Sequence, residues 1–272
     1  MMLERERFRN FEHAGWQEIP DNYHQSFGGL TTQTIKPLLR AARVKRGVKF
    51  LDVATGPGYV AAAAAKRGAT VLGIDFSERM VAQARQLHPG IDFRPGDAEE
   101  LPLANGRFDA AAMNFGILHL GRPEKALAEA HRVLRAGGRF AFSVWCAPAE
   151  TIGFGIVLRA VERHGEPRVD LPEGPPFFRY SDPDECRRGL IAAGFESPTV
   201  TRVKQTWRLP AQDGLFNAMK DSTVRTAGLL RAQKPTVLNK IREAMRAELE
   251  RYTRGESVEL PMPALIASGV KP

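Results

Sequence analysis

The chain has 272 residues, of which 43% are hydrophobic and 26% are charged, with a formal net charge of +8 at pH 7. This composition is that of an ordinary soluble globule long enough to bury a core, and no apolar stretch can span a bilayer. The charged N-terminus lacks the apolar segment of a secretion signal, and the two cysteines fit neither a metal site nor a disulfide framework. We therefore expect a cytoplasmic protein without a membrane segment.

The excess of basic over acidic residues, 39 against 31, permits an acidic partner but does not require one. The cations are scattered, as at Arg40, Arg43, Lys45 and Arg46, and no run of Lys or Arg alternates with aromatic residues. A solvated surface is therefore the preferred interpretation, and nucleic acid is not expected as a partner.

Apolar runs alternate with helical patterns from Val48 to about Gly194, after an aromatic-containing segment and an amphipathic helix predicted over 32–42. The predicted strands are Val48–Ala54, Thr70–Asp75, Ile91–Arg94, Phe108–Asn114 and Arg139–Trp145. The predicted helices between them are Tyr59–Arg67, Ser77–Leu87 and Pro123–Leu134, and the pair Gly137 and Gly138 is expected to end the third. Strict alternation of strand and helix is typical of a doubly wound α/β fold with a parallel sheet.

The remainder of the chain is less regular. A segment rich in proline and glycine, 165–176, precedes a predicted helix at 182–193, a strand at 199–206, helices within 211–252 and a last strand at 264–271. In the helical region, Val237, Ile241, Met245 and Leu249 recur every four positions and form one apolar stripe. Such a stripe either covers a site as a lid or packs the helix on its own domain, and packing is favoured.

The most informative stretch is Phe50–Val60, where an apolar run ends in an acid and a glycine-rich turn, followed by an alanine-rich helical segment. This order is typical of the strand, tight loop and helix N-terminus that hold a nucleotide-like ligand in α/β sheets. Gly56 and Gly58 allow the backbone to approach a ligand closely. Taken alone, the turn also fits a dinucleotide-binding protein, so the surrounding residues must decide.

Polar side chains follow each of the first four predicted strands. Asp52 and Asp75 lie at the ends of the first two, Asp97 follows the third, and Asn114 ends the fourth. A dinucleotide would explain the glycines and Asp75, but it would leave Asp52 and Asp97 without a role. A ligand with an ammonium, a ribose, an adenine and a sulfonium accounts for all of them, because an acidic pocket suits a cation. That ligand is S-adenosylmethionine.

At this point the chain resembles a known family. Leu51–Gly58 looks like motif I of the class I S-adenosylmethionine-dependent methyltransferases, and Val71–Met80, Gly96–Ala98 and Arg132–Gly138 look like the later motifs in order. The resemblance is to the group that includes ubiquinone/menaquinone-biosynthesis C-methyltransferases, and it is firm over about 32–144. Ala54 departs from the pattern, because many members have glycine there.

The resemblance implies a Rossmann-like sheet of seven strands, mostly parallel with the last strand antiparallel, together with helical cap and lid elements. It also implies S-adenosylmethionine as the cofactor. The implied contacts are Asp52 at the ammonium, Gly56 and Gly58 beside the methionine moiety, Asp75 on the ribose, Phe76 and Met80 against the adenine, Asp97 and Ala98 at the adenine edge, and Asn114 in the methyl-donor cleft.

Methyl transfer from a sulfonium mainly requires alignment of the reactants and exclusion of water, but a hydroxyl or carbon acid acceptor also needs a base. His119, just after the fourth strand, is the best-placed candidate for that catalytic base, although a hydrogen-bonded structural histidine is the more frequent situation. Trp145 could form a wall of the acceptor pocket, and Tyr23 and His24 could close over the donor. No acidic cluster indicates a metal site.

These observations predict a single methyltransferase domain over 1–272. It would consist of an N-terminal cap segment (1–45), a donor-binding core (46–150) and an acceptor-side region (151–272) with a helical lid at about 211–252. The expected acceptor is a small molecule, with oxygen, nitrogen and carbon all open as the methylated atom. An RNA or protein methyltransferase and a non-catalytic donor-binding module are the alternatives, with a dinucleotide-dependent dehydrogenase as a minor one. A homodimer is compatible with the sequence.

Overall fold

A seven-stranded sheet forms the centre of the computed structural model, which describes residues 2–211 and 213–272. Gln212, inside the predicted helical region, lies outside the described residues. The strands of this sheet, in chain order, are β1 (Lys49–Val53), β2 (Thr70–Asp75), β3 (Asp92–Pro95), β4 (Phe108–Asn114), β5 (Leu134–Trp145), β6 (Glu196–Val203) and, after three strands of another sheet, β10 (Ala264–Val270). Their spatial order is β3-β2-β1-β4-β5-β10-β6.

The strand directions confirm the predicted fold class. Strands β1 to β5 run parallel to one another, and β10 is antiparallel to both of its neighbours, β5 and β6. Strands β1 and β4 are buried along nearly their whole length, and β5 is buried over residues 140–145. This burial explains the mainly apolar sequence of these segments, because helices cover both faces of a parallel sheet.

The helices form two layers around the sheet. They are α1 (Met2–Glu18), α2 (Pro20–Ser26), α3 (Gly28–Thr31), α4 (Ile35–Ala41), α5 (Tyr59–Lys66), α6 (Glu78–Leu87), α7 (Pro123–Val133), α8 (Ile152–His164), α9 (Pro183–Ala192), α10 (Gly214–Asp221), α11 (Arg225–Arg231) and α12 (Pro235–Leu249). Helices α4, α5 and α6 pack on one face of the sheet, and α7 and α9 pack on the other. Within the described chain, no helix is both long and apolar enough to cross a membrane.

Two local predictions about helix ends have different outcomes. Ser77 is the N-cap of α6, and its hydroxyl accepts a hydrogen bond from the Met80 amide, as predicted. The prediction that Gly137 and Gly138 end α7 is wrong. The helix ends at Val133, because Leu134 is already extended and pairs with Phe108 of β4, so that β5 begins five residues earlier than predicted.

A second sheet and four helices, among them the short α3, were not predicted. Strands β7 (Thr206–Pro210), β8 (Thr253–Arg254) and β9 (Ser257–Pro261) form a small antiparallel sheet in the order β7-β9-β8. Its main pairing joins segments about fifty residues apart, and such pairing leaves no local pattern in the sequence. Helices α1, α2 and α8 were also missed, and α1 has only a weak apolar stripe.

The apolar stripe of α12 serves packing, the favoured alternative. Ile241, Met245 and Leu249 are buried, and α12 packs along α8. The part of the predicted lid that approaches the carboxyl edge of the sheet is instead residues 222–226, which form the connection between α10 and α11 and the start of α11.

Strand β1 lies between β2 and β4, so the loops after β1 and β4 diverge and leave a crevice at the switch point of the sheet. At this crevice Ala54 has a φ of +53°, in the left-handed region that favours glycine. A Cβ on Gly116, after β4, would lie 2.5 Å from the Cβ of Ala54. Gly116 therefore provides the space for the alanine that departs from the family pattern.

This contact predicts a compensating pair of substitutions. We expect Gly116→Ala to lower the free energy of unfolding by about 1–3 kcal/mol, because the added methyl overpacks the contact with Ala54. Ala54→Gly in the same chain removes the opposing methyl and should restore part of that loss, while Met113 Cγ, 2.9 Å from the same position, remains. Thermal or denaturant unfolding measures both. Gly29→Ala is the control, since a Cβ there meets nothing within 4 Å. A double variant no more stable than Gly116→Ala would contradict this interpretation.

Candidate active site

The glycine turn after β1 uses its two glycines differently. Both have a left-handed φ, +51° at Gly56 and +82° at Gly58. Gly56 lines a cavity at the carboxyl edge of the sheet, and a Cβ there would meet no protein atom within 4 Å. Gly58 begins α5 and does not line the cavity; its Cβ would lie 2.7 Å from Phe93. The predicted ligand contact therefore fits Gly56, whereas Gly58 allows the helix to pack closely on β3 and its neighbourhood.

Asp52 lines the same cavity and is buried. Its Oδ2 accepts hydrogen bonds from the Thr55 hydroxyl at 2.6 Å and the Ala61 amide at 2.9 Å, which hold the turn against α5. Its Oδ1 is buried and has no hydrogen-bond partner among the described residues. Burial, helped by the nearby Asp75, raises the pKa of Asp52 to about 7, although the two hydrogen bonds lower it. A cationic donor at Oδ1 would satisfy this carboxylate.

Asp75, at the end of β2, is also buried and lines the cavity. Its two oxygens accept hydrogen bonds from the Gly56 amide at 2.8 Å and the Ser77 amide at 3.0 Å. Burial raises the pKa of Asp75 to about 6, although these two hydrogen bonds favour the ionised form. The carboxylate retains free lone pairs for further donors, such as a pair of hydroxyls.

The predicted adenine residues lie together on the same side of the cavity. Phe76, Met80, Asp97 and Ala98 all line it. Helix α1 covers this side, because Arg9 forms an ion pair with Asp97 at 2.7 Å and the His13 ring packs edge-on against Phe76. The other oxygen of Asp97 accepts from the Glu99 amide at 2.8 Å. Asp97 therefore already has protein donors at both oxygens, and its contact with an adenine amine stays a prediction.

Asn114 lines the cavity at the end of β4, and its side-chain amide is held by protein groups. Its Oδ1 accepts from the hydroxyls of Thr34 at 2.7 Å and Ser143 at 2.6 Å, and its Nδ2 donates to the Thr31 carbonyl at 3.1 Å. These bonds join β4, β5 and the segment before α4. The amide thus fixes the floor of the cleft.

Aromatic rings also line the cavity. They come from α1, α2 and the residue that follows it, the loop after β4, the end of β5, and α8 with the loop that follows it: Trp16, Tyr23, Phe27, Phe115, Trp145, Phe154 and Phe177. Trp145 stacks on Phe115 with ring centroids 3.9 Å apart, and Tyr23 stacks on Phe27. Of the two residues predicted to close over the donor, Tyr23 lines the cavity, whereas His24 hydrogen-bonds the Tyr59 hydroxyl. Such walls suit a planar apolar ligand.

His119 also lines the cavity, where its ring packs edge-on against the rings of Trp16 and Phe177. Its Nδ1 lies 3.0 Å from Oε2 of Glu12, a fully buried residue of α1. Glu12 also forms an ion pair with Arg225 at 2.7 Å and accepts from Trp16 Nε1 at 3.0 Å. Among the described residues, none hydrogen-bonds to Nε2 of His119. A histidine held in this way can accept a proton at Nε2.

Sequence reasoning missed Glu12 and Arg225 at this site. The one available signal was the spacing of Phe8, Glu12 and Trp16, which places them on one face of a helix. In the described part of the chain, no group of three or more His, Cys, Asp or Glu side chains has the arrangement of a metal site.

Two features of this cavity suit S-adenosylmethionine. The unpartnered Oδ1 of Asp52 is a buried acceptor that requires a donor. The space beside Gly56 is a cradle that a side chain would fill. The individual contacts of the predicted site residues with this ligand stay predictions.

Comparisons with known proteins agree with this geometry. Residues 51–142 match the family model described as methyltransferase domain. The chain is 42% identical over 172 residues to a ubiquinone/menaquinone biosynthesis C-methyltransferase, UbiE, of Rubrivivax gelatinosus, covering 58% of this chain and 67% of the relative. It is 36% identical over 178 residues to a demethylmenaquinone methyltransferase of Corynebacterium kroppenstedtii, covering 62% and 77% respectively.

Other curated relatives named demethylmenaquinone methyltransferase are matched over about half of their length. Among solved structures, a putative methyltransferase from Bacillus halodurans has a TM-score of 0.57 at 22% identity, covering 88% of this chain and 98% of that one. At that identity the similarity shows the fold alone.

Because Gly56 and Gly58 have different environments, substitution by alanine should have a different main effect at each position. We expect Gly56→Ala to weaken binding of S-adenosylhomocysteine at least about tenfold, because the methyl enters the ligand cradle. Its left-handed φ also costs about 1–2 kcal/mol of stability. Gly58→Ala should lower stability further, through contact with Phe93, and weaken binding less. Calorimetric titration measures the loss of affinity, and thermal unfolding measures the loss of stability. Equal losses of affinity in the two variants would contradict the assignment of Gly56 to the ligand cradle.

The raised pKa values of Asp52 and Asp75 predict pH-dependent binding. The N–H and O–H groups of the ligand bind the ionised carboxylates. Below its pKa, about 7 for Asp52 and about 6 for Asp75, each carboxyl group must therefore lose its proton before the ligand can bind. The affinity for S-adenosylhomocysteine should therefore fall about tenfold or more between pH 8 and pH 6. Calorimetric titration measures this. Asp52→Asn, a neutral side chain of equal size, should bind weakly and lose the step near pH 7. An affinity unchanged from pH 6 to 8 would contradict the prediction.

Proposed function

The chain belongs to the class I S-adenosylmethionine-dependent methyltransferases, in the group of ubiquinone/menaquinone-type C-methyltransferases, and we propose that it methylates a small aromatic acceptor. The observation that carries this proposal is one cavity lined by two chemically different sets of side chains. One set consists of the buried carboxylates Asp52 and Asp75, the other consists of aromatic rings such as Trp145 and Phe115, and His119 lines the same cavity.

The buried carboxylates support binding of the methyl donor. Asp52 would hold the ammonium, Asp75 the ribose hydroxyls, and Phe76 and Met80 the adenine. Bound S-adenosylmethionine supplies an activated methyl group: as the acceptor atom bonds to the methyl carbon, the carbon–sulfur bond breaks and its electron pair stays on sulfur. The cover formed by α1 and residues 222–226 excludes water from this exchange.

The aromatic rings support a planar, mainly apolar acceptor, and the position of His119 supports one that loses a proton on methylation. The hydroxyl or ring carbon of a phenol or quinol is such a group. His119 Nε2 would take this proton, while Glu12 stabilises the imidazolium that results and the proton later leaves to water. The names of the relatives from Rubrivivax gelatinosus and Corynebacterium kroppenstedtii support a quinol ring as the first acceptor class to test.

The position of the basic surface argues against methylation of RNA. Exposed cations at Arg43, Lys45, Arg46 and Lys49 surround the start of β1, at the amino edge of the parallel strands. The cavity lies at the carboxyl edge, on the opposite side of the sheet. An RNA strand held by these cations would therefore not present its bases to the cavity.

A methyl-transfer screen tests the proposal. The protein is incubated with radiolabelled S-adenosylmethionine and small phenols and quinols, with bulk RNA and unfolded protein as the alternative acceptors. We expect label on at least one small aromatic acceptor, and we expect Asp75→Asn to abolish it through loss of donor binding. Asp92→Asn, an exposed aspartate of β3, is the matched control. Label on RNA or protein alone, or donor binding without transfer to any acceptor, would contradict the proposal.

The role of His119 has its own prediction. With the accepted substrate, His119→Ala should lower kcat about 10²–10⁴-fold, because general-base catalysis contributes that much. Binding of S-adenosylhomocysteine, measured by calorimetry, should change little. A variant that retains full rate across pH would exclude His119 as the base.

A further inference from the structure

We propose that Glu12 is a positioning residue that fixes the tautomer of His119, so that the base is complete only while helix α1 covers the cavity. This inference rests on the proposed function for its consequence, but its structural core concerns the ligand-free protein.

Helix α1 contacts residues that line the cavity with two neighbouring faces. Arg9 and His13, one turn apart, contact Asp97 and Phe76, which belong to the predicted donor site. Glu12 and Trp16, also one turn apart, contact His119 on the acceptor side, where the Trp16 ring packs edge-on against the imidazole at 4.7 Å. A single helix therefore covers the predicted adenine site and completes the surroundings of the predicted base.

Glu12 is a fully buried carboxylate, which requires compensating charge or hydrogen bonds. Its two oxygens are divided between partners. Oε1 accepts from Arg225 Nε at 2.7 Å, and Oε2 accepts from His119 Nδ1 at 3.0 Å and Trp16 Nε1 at 3.0 Å. Burial alone would raise the pKa of Glu12, but the charges and hydrogen bonds of His119 and Arg225 hold it below its usual value. Arg225 is always charged and forms an ion pair with Glu12 at 2.7 Å, so the carboxylate stays ionised beside a neutral His119 and can only accept.

An acceptor at Nδ1 determines where the proton of neutral His119 lies. Because Oε2 cannot donate, Nδ1 must carry the hydrogen, and the lone pair of Nε2 is left free. Without this partner, the hydrogen can move to Nε2, where it would prevent that atom from accepting the acceptor's proton.

Arg225 fixes the same carboxylate from the other side. Its guanidinium donates to the carbonyls of Pro175 and Leu118, lies over the Phe8 ring at 4.3 Å, and pairs with Glu12. Leu118 immediately precedes His119. The ion pair therefore joins α1, the start of α11 and the loop that carries the base.

A glutamine cannot replace Glu12 in this arrangement, because it has one acceptor oxygen for two acceptor positions. If Arg225 takes the oxygen, the amide nitrogen faces His119 and donates to Nδ1, which places the imidazole hydrogen on Nε2. An aspartate retains two acceptor oxygens on a shorter stem, and it should retain the tautomer if α1 adjusts.

The experiment compares Glu12→Gln, Glu12→Asp and Glu99→Gln with the wild type. Glu99 is a matched control, since it is buried, pairs with Arg122 at 2.7 Å and lies outside the cavity lining. Nitrogen-15 NMR of the ligand-free protein reports the tautomer of His119, assigned with His119→Ala. Turnover of the acceptor found in the screen gives kcat and KM.

We expect hydrogen on Nδ1 in the wild type, Glu12→Asp and Glu99→Gln, and a shift towards Nε2 in Glu12→Gln. In that variant kcat should fall about 10²-fold with little change in KM, and Glu12→Asp should recover at least part of the loss. An unchanged tautomer in Glu12→Gln, or an equal loss of kcat in Glu99→Gln, would overturn the proposal. If Glu12→Gln does not fold, hydrogen on Nε2 in folded Glu12→Asp would overturn it. The tautomer requires no turnover, so a wild type that methylates nothing refutes only the proposed function.

Discussion

The structure depends on how three buried carboxylates are compensated. Glu12 is surrounded by Arg225, His119 and Trp16, so its negative charge is neutralised inside the protein. Asp52 and Asp75 receive only neutral hydrogen bonds from the glycine turn and its neighbours, and burial raises the pKa of both. The difference assigns them different roles. Glu12 joins elements of the protein to one another, whereas the two aspartates retain an unmet preference for a cationic ligand.

This uncompensated pair has consequences for the ligand and for the protein. S-adenosylmethionine would satisfy both carboxylates, with its ammonium at Asp52 and its ribose hydroxyls at Asp75, whereas a pyrophosphate would add negative charge beside them. Since their folded pKa values lie above those of the unfolded chain, the ligand-free protein loses stability as the pH rises through about 6 and 7. Bound ligand would restore it, so donor binding and folding are coupled through the same two side chains.

The core and its polar edge could be predicted because their signals are local. Parallel strands bring their carboxyl ends to one edge, so Asp75 and Asn114 could be located from strand ends alone. Glu12 could not, because its burial depends on His119 and Arg225, which lie 107 and 213 positions away. In the sequence, Glu12 is one of several charged residues, both acidic and basic, in the N-terminal segment. The small sheet of β7, β8 and β9 was also missed, because it depends on pairing between distant segments. The packing role of Gly58 could be recognised only from its contact with Phe93 in the structure.

The most direct test of this account is calorimetric titration of the ligand-free protein at pH 8, with S-adenosylhomocysteine in one experiment and NADH in the other. The account predicts saturable binding of S-adenosylhomocysteine at one site per chain and no binding of NADH. Binding of NADH to a protein that ignores S-adenosylhomocysteine would show that the buried aspartates do not select an adenosyl cation, and would contradict the central claim.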